Sequence, residues 1–223
     1  MRRVFSIMVL ISLCALALWA VDNTKLLDAA SQTVQSMTSG AKPIPSSLLR
    51  DAKCIAVVPK LTKAGLIVGG EHGNGVVSCR TANGWSAPAF ITISGGSVGL
   101  QAGGEHQEIV LLMNDQGKQE LINGHWDLGA EAVAAGPTGD SAGKSESTGW
   151  KAPVLSYSHS SGAYAGANLQ GSKIDLDQDA NHNLYGPSAS IQSILNGQAK
   201  TPEAAQQFLS ALEKVAGGSA LLK

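Results

Sequence analysis

Between Cys54 and Leu176 the chain is a succession of short β-branched or apolar runs, each cut off by glycine or asparagine. This texture constrains the fold more than any other feature. Such punctuation belongs to antiparallel hairpins, in which glycine supplies turn conformations that other residues resist. The runs predicted as strands are 54–58, 66–69, 76–80, 89–93, 98–102, 108–113, 130–134, 154–158 and 163–169. No amphipathic helix of useful length separates them, which disfavours a parallel sheet with crossover helices. The expected fold is α+β and mainly β: a curled antiparallel sheet, sandwich or half-barrel, packed by N- and C-terminal helices.

Those helices show in the spacing of apolar residues. Over 23–37, Leu26, Leu27, Ala30, Val34 and Met37 recur at helical intervals, with Asn23 or Thr24 as cap and Ser39-Gly40 as stop. A shorter helix is predicted over 45–52, where Pro45 suits a first turn. Two more are predicted over 187–195 and 202–216. In the last of these Thr201 is the expected cap, Pro202 the first helical residue, and Ala205, Phe208, Leu209, Leu212 and Val215 a core-facing stripe.

Composition narrows the function classes. With 43% hydrophobic residues and a net charge of -1, the chain is neither disordered nor polyelectrolytic. Its 16 Lys and Arg are matched by 17 Asp and Glu, which leaves no basic excess for nucleic acid. Met1 to Ala20 reads as a secretory signal: Arg2-Arg3, an apolar run, then small residues that suit cleavage after Ala17 or Ala20. A retained anchor and a lipidated Cys14 are the alternatives. Its removal leaves 14 basic against 17 acidic side chains, a net charge of -3. The expected organisation is a leader over 1–20, one domain over 21–216 and a tail over 217–223, exported to a periplasmic or secreted location. In an oxidising compartment Cys54 and Cys79, each in a β-branched run, are a candidate disulfide. Two separately buried thiols are the alternative.

Catalytic and metal motifs match poorly. Gly95-Gly96-Ser97-Val98-Gly99 fits the nucleophile-elbow pattern, but no helix can follow Val98. Gly139 to Ser145 resembles a phosphate loop with one spacer residue too few. Asp175, Asp177 and Asp179 alternate like calcium ligands, yet Ala180 and Gly186 occupy positions that need glycine and glutamate. His72, His106, His125, His159 and His182 lack metal-ligand spacing. The expectation is no catalytic residue, no metal and no cofactor.

Several blocks in order carry a resemblance. They are Ile44 to Lys53 with Ile55 to Pro59, Gly69-Gly70 with Gly73 and Gly75, Gly84 to Phe90, Gly99 to Gly103, Leu128 to Ala130, Ala135 to Pro137, Ser156 to Ser158 and Gly162 to Gly166. Together they resemble the SYLF domain family over about Lys25 to Leu212. The resemblance implies a non-enzymatic lipid-binding module, of the kind that binds phosphoinositides or other anionic phospholipids. It also implies actin binding in members that add an SH3 domain, so actin is expected to be an unlikely partner of this chain.

The residues give the implied function a location. Lys42, Arg50, Lys53, Lys60 and Lys63 form a local basic excess just after the first helix. The expected site sets these five against lipid headgroups, with Leu26, Leu27, Val34 and Met37 facing the membrane. The alternative is a structural or protein-interaction module of the cell envelope, with the stripe packed on the sheet and the lysines solvated.

Overall fold

The structure is a computed structural model that describes residues 23–40, 42–65, 68–98, 105–137, 150–160, 163–165 and 169–217. The leader-like Met1 to Ala20 with Cys14, the residues after Gly217, the phosphate-loop match at Gly139 to Ser145, and residues 99–102 and 166–168 of the runs 98–102 and 163–169 lie outside them.

After helix α1 (23–39) and helix α2 (Ser46–Asp51), ten strands form one curled sheet. They are β1 (Cys54–Gly65), β2 (Val68–Thr81), β3 (Gly84–Trp85), β4 (Ala89–Val98), β5 (Glu105–Met113), β6 (His125–Leu128), β7 (Val133–Ala135), β8 (Val154–Ser160), β9 (Ala163–Ala165) and β10 (Ser172–Leu176). The order β6-β10-β4-β2-β1-β5-β8-β7 has β3 added to β2 and β9 to β8. All pairings are antiparallel except β7 with β8. The remaining helices are α3 (Asp115–Ile122), α4 (Gln178–Tyr185), α5 (Ile191–Leu195) and α6 (Gln206–Ala216). The chain forms the expected mainly-β, curled sheet with N- and C-terminal helices, and the sheet is nearly closed.

Both faces of the central strands are covered, which explains why the first part of β1, Cys54 to Val58, reads as an unbroken apolar run. Ile55, Val57, Val76, Phe90, Val110 and Leu112 point to one core, shared with α1, α2 and α6 through Leu27, Leu48 and Phe208. Ala56, Val58, Val77, Ile91, Ile109 and Leu111 point to the other, inside the curl, where Trp126, Ile194 and Leu195 complete the packing.

Several expected boundaries shift for physical reasons. Val68 and Gly69 of the run 66–69 and all of the run 76–80 belong to one long β2, and β4 runs unbroken through Gly95 and Gly96 to Val98. A nucleophile elbow at Ser97 is thereby replaced by a strand. Helix α3 does interrupt the β region, capped by the Asn114 side chain, which accepts from Gly117 N at 3.0 Å. The helix predicted over 187–195 holds only from Ile191, where Ser190 and Ser193 cap one another. Pro202 is extended, with ψ 151°, so the last helix opens as a 3-10 turn (Glu203–Ala205) with no side-chain cap.

Cys54 and Cys79 are strand partners on β1 and β2, joined as a disulfide with their Cα atoms 4.0 Å apart. The acidic triplet resolves into unrelated roles. Asp175 bonds His125, Asp177 caps α4 by accepting from Ala180 N, and Asp179 lies in the first turn of that helix.

A basic groove at the head of the first helix

The five basic residues adjacent in sequence do not form one patch. Lys42 and Arg50 are exposed beside the end of α1, where Ile44 N donates to Met37 O. Lys53, also exposed, lies 3.9 Å from Asp115. Lys60 belongs to the other end of α1, with Asn23 and Lys25, roughly 25 Å away along a helix of this length. Lys63 is buried in the curl, where Nζ meets Glu71 Oε2 at 3.2 Å and Ser172 donates to the same carboxylate. It is therefore withdrawn from any headgroup role.

The apolar stripe is also corrected. Leu27, Ala30, Val34 and Met37 are at most 2% exposed, packed on the sheet, and do not face a membrane. The polar flank of α1 is fixed as well: Thr33 Oγ1 donates to Glu108 Oε1 at 2.8 Å, and His159 Nδ1 holds Glu108 Oε2 at 3.0 Å. Leu26 alone among the four predicted membrane-facing residues is only partly buried.

Leu26 forms a wall of the groove that gathers Lys25, Lys60, Thr62, His72 and Asn74. This groove has a volume of about 460 Å³, with Ala29, Pro59, Phe90 and Ala180 as further apolar walls. Its shape follows from a break in β1. Register shifts on both sides of β1 around Pro59 and Lys60, as proline forces a bulge where a ladder donor is missing. Across the bulge Gly73 lies so close that a Cβ would be 2.8 Å from Lys60 O. The glycine lets β2 press against the bulge and leaves the Lys60 side chain exposed.

Charge, not size, singles out this groove. Larger ones exist: about 680 Å³ beside α4 and α5, where Lys200 faces Glu203, and about 670 Å³ beside α3 and β6, where Glu120, Asp127 and Glu131 outnumber Lys151. At the head of α1, Lys25, Lys60 and His72 face a single acid, Asp177, whose carboxylate is engaged in capping α4. Among the described residues neither lysine is in an ion pair. Lys25 and His72 were invisible as site residues in the sequence, because Lys25 is an isolated cation and His72 sits in a glycine-rich run; only strand register joins them to Lys60. No group of His, Cys, Asp and Glu able to hold a metal occurs among the described residues.

The fold is a curled, helix-backed sheet with a basic groove at the head of α1. The chain belongs to the Ysc84 family, the SYLF-type family that its sequence resembles. Residues 94–215 match the family model described as "Las17-binding protein actin regulator". Protein YSC84 of Saccharomyces cerevisiae is 37% identical over 176 residues, 76% of this chain and 37% of the relative. The SH3 domain-containing protein PJ696.02 of Schizosaccharomyces pombe is 36% identical over 182 residues, 78% of this chain and 42% of the relative. The SH3 domain-containing YSC84-like protein 1 of Bos taurus is 30% identical over 184 residues, 81% of this chain and 54% of the relative. The chain thus spans about half or less of the length of these relatives. The family description is that of a binding and regulatory protein, and none of these names is that of an enzyme. The family description names an actin regulator and attaches to residues 94–215, which removes the ground for holding actin unlikely.

Proposed function

We propose that this chain is a non-enzymatic docking module that binds anionic surfaces, a phospholipid bilayer first among them, through the groove at the head of α1. The observation that carries this reading is the convergence of Lys25, Lys60 and His72 on one groove whose single carboxylate is already engaged. Flanking Leu26 and Pro59 supply a modest apolar contact of the kind that accompanies headgroup binding. Lys42, Arg50 and Lys53 form a secondary basic corner at the far end of α1 and add long-range attraction. Among the described residues no helix is long and apolar enough to cross a membrane. Peripheral association in an exported compartment agrees with the leader-like sequence at the N-terminus and the Cys54–Cys79 cross-link.

Co-sedimentation with vesicles tests the reading. Binding is expected to rise with phosphatidylglycerol content and fall with added salt, since each near-surface cation is worth about 1 kcal/mol. Equal binding to neutral phosphatidylcholine vesicles would overturn it. A second reading, an actin-related partner, rests on the family description alone. Pelleting with actin filaments in the absence of lipid would favour that reading.

A further inference from the structure

We infer that His72 and His106 make docking at this groove dependent on pH, so that binding strengthens as the medium acidifies. The inference rests on the reading of the groove as an anion-docking site. It starts from register. Thr62 of β1 is the strand partner of His72 on β2 and of His106 on β5, so the three side chains share one face on adjacent strands about 4.8 Å apart. Both imidazoles are exposed, and His72 lines the groove with Lys25 and Lys60.

Thr62 Oγ1 lies 3.1 Å from His106 Nδ1. A hydroxyl can donate to a neutral ring nitrogen and accept from a protonated one, so this contact persists in both states and charge alone changes. Imidazole is the side chain suited to that change between pH 5 and 8.

The surroundings of the two rings leave the added charge effective. His72 is faced by Lys60 and Thr62 from β1, Lys25 from α1 and Asp177 at the cap of α4, with Ser94 of β4 and Lys173 of β10 next along the row. His106 is faced by Thr62 and, further along β5, by Glu108. The acids among these groups are occupied within the fold: Asp177 accepts from Ala180 N, and Glu108 is held by Thr33 and His159. Acidification therefore adds up to two positive charges beside two lysines, strengthening attraction to an anionic surface by about fivefold for each.

The test compares affinity for phosphatidylglycerol-containing vesicles at about pH 7.5 and about pH 5.5. The wild-type chain is expected to bind about tenfold or more tightly at the lower pH. A His72→Gln/His106→Gln variant should bring the ratio between the two pH values close to one. His125→Gln, which removes an imidazole outside the groove, should keep the wild-type ratio. A double variant with the wild-type ratio, or His125→Gln losing it, overturns the inference while the docking site stands. So does wild-type binding of equal strength at both pH values. Absence of wild-type binding at either pH overturns the docking reading together with the inference.

Discussion

Arg80 shows how much one side chain can hold together. Its guanidinium donates to Ala52 O at 2.9 Å and Leu49 O at 3.3 Å at the end of α2, and to Ala216 O at 2.7 Å and Gly217 O at 2.8 Å at the end of α6. The same group lies 4.5 Å from the ring centre of Trp85. The last carbonyls of a helix lack intrahelical donors and carry partial negative charge, so one cation serves two helix ends at once. Arg80→Ala is expected to lower unfolding free energy by about 3 kcal/mol in urea denaturation, and Arg80→Lys should recover only part, because an ammonium cannot span both ends. A loss below about 0.5 kcal/mol, the range of an ordinary surface substitution, would contradict the assignment. At the opposite edge His125 Nδ1 meets Asp175 Oδ1 at 2.5 Å, and this hydrogen bond and charge, aided by Asp127, hold the imidazole above its ordinary pKa of 6.5. A raised folded-state pKa stabilises the fold fully below 6.5, and that contribution is lost as pH rises through the folded value. Asp175→Asn is expected to move the NMR titration of His125 down towards 6.5; an unchanged midpoint would exclude Asp175 as the cause.

At the scale of elements, register does most of the positioning. Gly95 lies between Glu71 and Ser172, and a Cβ there would fall 2.7 Å from Ser172 Cα. Its bare backbone lets Ser172 on β10 reach over β4 to the carboxylate that also holds Lys63. The glycine pattern that imitates a nucleophile elbow is thus explained by close backbone approach within a sheet. The disulfide ties β1 to β2 across a sequence separation of 25, and Cys54→Ala/Cys79→Ala should lose about 3 kcal/mol by the chain-entropy model. Helix α1 supplies another test. Leu27 is 1% exposed, so Leu27→Ala is expected to cost about 3 kcal/mol of stability, whereas a membrane-facing leucine would leave the denaturation midpoint unmoved. The sheet, its antiparallel sense and the terminal helices were legible because β-branched runs and helical spacing are local signals. β6 and β10 were not. His125–Leu128 and Ser172–Leu176 are short, half polar and paired with each other and β4, so nothing local announces them. α3 is hidden by its polar sequence, and the stripe on α1 is legible as a helix face while the choice between membrane and sheet as its neighbour is settled only by tertiary packing.

For the whole molecule, a basic stretch in sequence becomes two separate surfaces and one buried ion pair. Lys53 immediately precedes β1, Lys60 sits at the bulge of β1 and Lys63 lies inside the curl, while α1 runs between the two exposed sets. Sequence could find the charge but not its distribution, which strand register and the proline bulge decide. The account places anion docking at the head of α1, and vesicle co-sedimentation of two charge-reversal variants separates the ends. Lys25→Glu/Lys60→Glu changes the groove, and Lys42→Glu/Arg50→Glu changes the exposed corner by the same total charge. With phosphatidylglycerol-containing vesicles, the first variant is expected to lose at least about 25-fold in affinity and the second no more than about fivefold. Equal losses in the two variants, or a greater loss at Lys42 and Arg50, would contradict the placement of the site in the groove.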